Sequence, residues 1–195
     1  HDACRKLEVD VEWSDAAPAP LPAGTRALKF ANQGRFHPLK YCAGLALAIQ
    51  KRGGRLFGNT AYLGHDDEDG GVTIKTGKGH RIRAGAALFA TNVPVNDRVK
   101  VHTKQVPMRT YVIAAKVPSG SVDDALVWDT LQPYHYVRLQ PAEGGQDWLI
   151  VGGEDHRSGT ANDMDDRFDK LEAWTRERFP HFARAEHRWS GQVME

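Results

Sequence analysis

Residues 32–57 read Asn32-Gln-Gly-Arg-Phe-His-Pro-Leu-Lys-Tyr-Cys-Ala-Gly-Leu-Ala-Leu-Ala-Ile-Gln-Lys-Arg-Gly-Gly-Arg-Leu-Phe57. The stretch divides into a loop, a helix and the start of a strand. Pro38 stands where a first helical residue is favoured, because its missing N–H would have no intrahelical partner anyway. Leu39, Cys42, Leu45, Ala46 and Ile49 recur at three- and four-residue steps, which makes one helical face apolar. Gly53-Gly54 stops the helix, and Arg55-Leu56-Phe57 is expected to restart as a strand reaching toward Leu63. Taken alone, this is an amphipathic helix feeding a sheet.

Upstream, His1 to Glu8 reads as the last turns of a helix, and Val9 to Trp13 and Ala27 to Phe30 as short strands. Pro18, Pro20 and Pro22 make the segment between them a loop. Downstream, His65-Asp-Asp-Glu-Asp-Gly-Gly71 is expected to be an acidic hairpin tip. A metal site there would need consecutive side chains to converge, which they do not do without a scaffold. Val72, Ile74 and Thr76 alternate with polar neighbours, Gly77-Lys-Gly79 turns the chain, and Arg81-Ile-Arg83 returns it as a β-hairpin. Ala86-Ala-Leu-Phe-Ala90 is an unbroken apolar run, suited to a strand covered on both faces in a parallel sheet.

The pattern changes at about Asn96. Arg109–Val117, Ala125–Thr130, Tyr134–Gln140 and Asp147–Gly152 read as strands joined by short turns, hence an antiparallel sheet. Asn162 or Asp163 caps a helix with Met164, Phe168, Leu171 and Trp174 on one face, Pro180 ends it, and Ala185–Val193 is a last strand. The fold class is therefore α+β: an antiparallel sheet backed by helices, with an inserted helix–hairpin–strand part. The expected division is 1–37 with 96–195 against 38–95.

Length and composition bound the function. The chain has 195 residues, enough for one large or two small domains. Hydrophobic residues make up 41% and charged residues 26%, as in a soluble globular protein. A net charge of +1 without a long basic run gives no reason to expect nucleic acid. No apolar run approaches the roughly 18 residues of a membrane span. Cys4 and Cys42 are too isolated for a disulfide framework or a zinc site. No signal peptide is recognisable, although the chain starts at His1 without Met, and the compartment is read as cytoplasmic.

The organising helix, the Ala86-Ala-Leu-Phe-Ala-Thr-Asn-Val-Pro94 stretch, Val151-Gly-Gly-Glu-Asp-His156 and Arg188-Trp-Ser-Gly-Gln-Val-Met-Glu195 stand in an order and spacing that resemble the FAD-dependent oxidoreductases of the D-amino-acid oxidase/glycine oxidase (DAO) family. The likeness runs from about Asp10 to Glu195. It is nearest to a bacterial subgroup whose full-length members often carry a C-terminal Rieske iron–sulfur domain. The resemblance implies that 38–95 belongs to the FAD-binding domain and that the rest is the substrate-binding part. It also implies a small-molecule amine or amino acid substrate, oxidised by hydride transfer to flavin.

No Gly-x-Gly-x-x-Gly occurs in the chain. Gly77-Lys-Gly79 comes nearest, but position 82 is Ile and the glycines lie in a hairpin. A dinucleotide pyrophosphate needs such a turn at a helix N-terminus. In the family this motif lies upstream of where the chain begins, and a second flavin-contacting segment lies past Glu195. The chain is therefore expected to be an internal fragment that lines one side of FAD and does not retain it alone. A non-catalytic α+β ligand-binding or interaction module is the alternative.

Site candidates follow. By resemblance, the strand around Tyr62 sits beside the adenine end of FAD, although relatives often carry a small aliphatic residue there. Ala90, Thr91 and Asn92 correspond to the family's segment under the cofactor. Thr91 and Asn92 also leave the carboxyl end of the expected strand, where open α/β sheets bind ligands, unless they merely cap a loop. On the substrate side, Tyr134, Tyr136 and Arg138 share one strand face and His135 points to the other. A guanidinium forked toward a carboxylate, with phenols beside it, suits an amino acid. An Arg snorkelling over tyrosines is the plain alternative. Arg109 is the second cation, and His37 is either a pocket-edge residue or a helix cap. Asp155-His156 follows a Gly-Gly turn, but no Gly-x-Ser-x-Gly elbow accompanies it, so a hydrolase is not expected.

Overall fold

Contiguous apolar runs at 111–115 and 148–151 lie within the two longest strands, 107–118 and 146–157, of a computed structural model that describes residues 2–22, 24–93, 95 and 105–194. Pro94 and the change of pattern at Asn96 lie outside the described residues. The chain divides into two compact units, His1–Arg35 with Val106–Glu195, and Phe36–Gln105.

The first unit opens with α1 (Asp2–Lys6), β1 (Val11–Ser14) and β2 (Ala27–Phe30), the two strands forming an antiparallel pair. The second unit holds α2 (Pro38–Lys51), β3 (Tyr62–Glu68), β4 (Gly71–Thr76) and β5 (Arg81–Ala84). The first unit then resumes with β6 (Pro107–Pro118), β7 (Val127–Trp128), β8 (His135–Pro141), β9 (Gln146–Arg157), α3 (Met164–Arg178) and β10 (His187–Met194). Its main sheet has the order β10-β6-β9-β8-β7, antiparallel at every pairing.

One face of this sheet carries Tyr111, Ile113, Ala115, Leu149, Val151, Val137 and Leu139, all buried in one cluster with Leu171, Phe179 and Phe182. Acidic Asp165 and Asp166 in the first turn of α3 and basic Arg176 and Arg178 in its last complement the helix dipole. Phe179 turns extended before Pro180, whose ring disfavours a helical predecessor. Asp163 stands at the N-cap, yet its carboxylate accepts from Arg167 (2.9 Å) rather than from a backbone N–H.

Several local expectations are corrected. Residues 55–61 form no strand, and β3 starts at Tyr62, because among the described residues no strand pairs with 55–57. His65–Glu68 is strand, not turn. The carboxylates are held by cross-strand partners, Lys75 to Asp66 at 2.8 Å, Arg81 to Asp66 at 3.2 Å and Thr73 to Glu68 at 2.6 Å, so only Asp69-Gly70 remains as the tip. The expected strand at 86–90 is not formed, and Leu88 is 94% exposed, since no ladder is available to it among the described residues. Along α2, no residue is buried. Strand β7 is two residues long where 125–130 was expected. Gly152-Gly153 is no turn but lies inside β9, where a register shift opposite Arg109 and Tyr111 absorbs an extra residue and Glu154 takes φ 56°. No helix among the described residues is long and apolar enough to cross a membrane, and none of their His, Cys, Asp and Glu side chains group in threes or more to hold a metal ion.

Candidate functional site

Strand β8 sorts its residues by parity. His135, Val137 and Leu139 are buried toward α3, and Tyr136 and Arg138 lie on the opposite, half-buried face, while Tyr134 stands just before the strand with its ring near that of Tyr136. Register carries that face across the sheet. Tyr136 stands opposite Trp128 on β7 and Gly152 on β9, Gly152 opposite Val112 on β6, and Val112 opposite Trp189 on β10. Glycine at 152 is required by close approach: a Cβ there would run into the Tyr136 ring. Over that gap the Tyr136 phenol reaches the Thr110 hydroxyl at 3.1 Å, and the Tyr134 ring centroid lies 6.1 Å from that of Tyr136. Burial raises the Tyr136 pKa above its usual value, the Thr110 hydrogen bond opposes this, and the Asp155 carboxylate adds to it. Tyr136 is thus a fixed, neutral phenol at neutral pH. Thr110 and Gly152 escaped the sequence reading; a glycine pair within a Val/Ile-rich strand opposite a tyrosine is the signal that could have found the second.

Beneath this face, His135 is 5% exposed and held on three sides. Its Nδ1 lies 3.0 Å from Asp129 Oδ2, its backbone N–H donates to Asp129 Oδ1 at 2.8 Å, and its Nε2 lies 3.5 Å from Glu154 Oε1. Its ring stacks on Trp174 at 4.2 Å and 11°. Asp129 also accepts from Leu131 N–H, which ties the loop before β8 to the strand.

Arg109 belongs to the other face. It donates to Ser190 at 3.0 Å, and Ser190 pairs with Tyr111, which packs edge-on against Phe168 of α3. Arg109 and Arg138 are therefore on opposite sides of the sheet. Asp155 and His156 also diverge, as neighbours on a strand do. His156 stacks on Tyr111 at 5.7 Å on the helix side, whereas Asp155 acts on Tyr136. Burial and then Arg167 lower the His156 pKa. The pair cannot act on one bond.

In the second unit, Tyr62 and His65 are joined by a 2.6 Å Oη···Nδ1 hydrogen bond, and both rings pack on Phe89, at 5.2 and 5.4 Å. Phe89 immediately precedes Ala90, Thr91 and Asn92. Those three form an exposed turn: the Thr91 hydroxyl donates to Val93 O, Val93 N–H donates to Thr91 O, both at 2.6 Å, and Asn92 is left-handed at φ 61°. His37 occupies the N-cap of α2, its Nδ1 accepting from Lys40 N–H at 3.4 Å.

Comparison with known proteins gives a consistent family. The sequence model described as FAD dependent oxidoreductase (DAO) matches residues 1–194. YhfW of Bacillus subtilis, named for a Rieske 2Fe-2S iron-sulfur protein, is 26% identical over 173 residues, covering 88% of this chain and 33% of YhfW. OrdL of Haemophilus influenzae, named as an oxidoreductase, is 31% identical over 101 residues, covering 49% of this chain and 23% of OrdL. The chain spans between 23% and 37% of the length of the curated relatives it matches. Among solved structures, the open form of NikD, described as an unusual amino acid oxidase essential for nikkomycin biosynthesis, superposes with a TM-score of 0.77 at 16% identity. That match covers 99% of this chain and 55% of NikD, and it establishes the shared fold.

Proposed function

The chain belongs to the DAO family of FAD-dependent oxidoreductases, and from that premise we propose that it supplies the substrate-facing sheet and one flavin-side segment of an enzyme that oxidises an amine or amino acid. The observation that carries the reading is the Tyr136, Arg138 face on the side of the sheet away from α3, with the Tyr134 ring near that of Tyr136. In this reading the first unit is the substrate part and the second belongs to the FAD-binding domain.

The donor chemistry of the second unit fits one side of a dinucleotide. Ala90 and Thr91 are small and exposed, and the turn at Asn92 offers polar backbone to a flat ring system. No Gly-x-Gly-x-x-Gly is present to cradle the pyrophosphate. Tyr62, Ala90, Thr91 and Asn92 would line the cofactor, whose flavin supplies the acceptor for the hydride. The exposed apolar residues of α2 and Leu88 suit a segment that packs within a larger domain.

Arg138 would fork across the substrate carboxylate, because a guanidinium presents paired donors in the geometry of two oxygens. Tyr136, held neutral and fixed by Thr110 and Gly152, would flank the substrate without competing for the guanidinium as an anion. Orientation is then the main task of these side chains, and no dedicated base is required of them. Arg109, on the opposite face, takes no part in this arrangement, and His37 acts as a helix cap.

The test is steady-state kinetics on the full-length flavoenzyme with a panel of amines and amino acids. Arg138→Ala should lower kcat/KM by roughly 30- to 1000-fold, equivalent to about 2–4 kcal/mol for a charge-assisted bidentate contact. Arg138→Lys should restore only part, since an ammonium cannot fork. An unchanged kcat/KM in the alanine variant would remove Arg138 from the site. Absence of turnover across the panel would favour the binding-module alternative.

A further inference from the structure

Resting on the reading of the Tyr136 face as the substrate face, we infer that the substrate is an amino acid with an aromatic side chain, whose ring packs on an aromatic wall beginning beside Arg138. Cross-strand partners share a face, so Trp128 on β7 lies beside Tyr136 on β8. Trp128 is 57% exposed although it sits in a strand. Phe30 of β2 stacks against it with centroids 6.2 Å apart and an interplanar angle of 23°. Tyr134 extends the same surface at 6.1 Å from Tyr136. Tyr136 and Trp128 thus lie on the sheet face that carries Arg138, with Tyr134 beside the first and Phe30 stacked on the second.

Spacing supports this occupant. Positions 136 and 138 are two residues apart on a strand, about 6.6–6.8 Å. Side chains at that backbone spacing on one face are neighbours and can meet one small ligand between them. A carboxylate at Arg138 therefore sets an α-side chain down beside Tyr136 and Trp128, where aromatic pairs favour offset or edge contacts. The wall is also held in place: Tyr136 by Gly152 and Thr110, and Trp128 by Phe30. Fixing these rings before binding lowers the entropy lost on association. Aromatic faces attract an ammonium as well. An ammonium needs one ring face, however, whereas a wall of adjacent rings matches a planar side chain.

The experiment measures kcat/KM of the full-length holoenzyme for both enantiomers of phenylalanine, tryptophan and alanine, and for N-methylglycine. The aromatic substrates should exceed alanine by roughly 10- to 100-fold, the range that apolar pocket contacts provide. Trp128→Ala should collapse that ratio toward one, and Trp128→Phe should retain most of it, which separates lost contact from lost fold. Turnover of amino acids with no aromatic preference, or a preference that survives Trp128→Ala, would overturn the inference and leave the amino acid reading standing. Preference for N-methylglycine would overturn it in favour of an amine held on the rings. No turnover of any amino acid would overturn the underlying reading itself.

Discussion

Gly152 and Tyr136 behave as one unit, since the ring occupies the space that any side chain at 152 would need. Gly152→Ala should destabilise the first unit by about 1–3 kcal/mol, the usual cost of overpacking. In a Tyr136→Ala background the added methyl group has room, and the two changes should be strongly non-additive in urea titrations. His156 sets a pH dependence. Burial and the Arg167 guanidinium hold its imidazole below the ordinary 6.5, so the folded chain binds that proton less tightly than the unfolded chain. Above about pH 6.5 both states are neutral and nothing is lost; as pH falls through 6.5 toward the lower folded value, stability falls. Asp163 acts in a separate, more acidic window, because the Arg167 hydrogen bond holds its carboxyl below 3.8. Urea midpoints should therefore drop between pH 7.5 and 5.5, and His156→Phe, which keeps a ring against Tyr111, should reduce that drop. At this scale strand parity was enough to group Tyr136 and Arg138. It could not reveal that Gly152 and Thr110 hold Tyr136, because those contacts cross two strands.

Helix α3 and the sheet it covers depend on each other. Leu171 is fully buried against the sheet, while Met164 at the start of the same apolar stripe is 47% exposed. Leu171→Ala should cost about 2–5 kcal/mol, read as a lowered denaturation midpoint with an unchanged denaturant slope. Met164→Ala should be near neutral. Element boundaries followed local chemistry where caps and turns speak plainly, as at Pro38, Gly77-Lys-Gly79 and Pro180. They departed from it where pairing decides. The acidic run 65–68 became strand because Lys75, Arg81 and Thr73 answer it across the hairpin. Gly152-Gly153 became paired strand because β6 and β8 flank β9 on both sides, and the extra residue is absorbed just after it, at Glu154-Asp155.

For the whole chain, the absent phosphate loop and the exposed apolar residues of α2 lead to one expectation. Purified alone, residues 1–195 should emerge from gel filtration without flavin absorbance and should bind a hydrophobic dye through surfaces such as Leu39, 77% exposed, and Leu88. A stoichiometric yellow protein would contradict this. The sequence by itself determined the α+β class, the antiparallel sheet, helices α2 and α3, and the resemblance to the flavin-dependent family that the match over residues 1–194 establishes. Those features rest on short-range periodicity and caps, which neighbouring residues carry. Only the tertiary structure decided which strands lie side by side, that Arg109 and Arg138 face opposite ways, that Asp155 and His156 diverge, and that Trp128 joins Tyr136. The reason is that strand order and register are set by hydrogen-bond partners distant in sequence. A side chain's face becomes functional only when those partners bring its neighbours beside it.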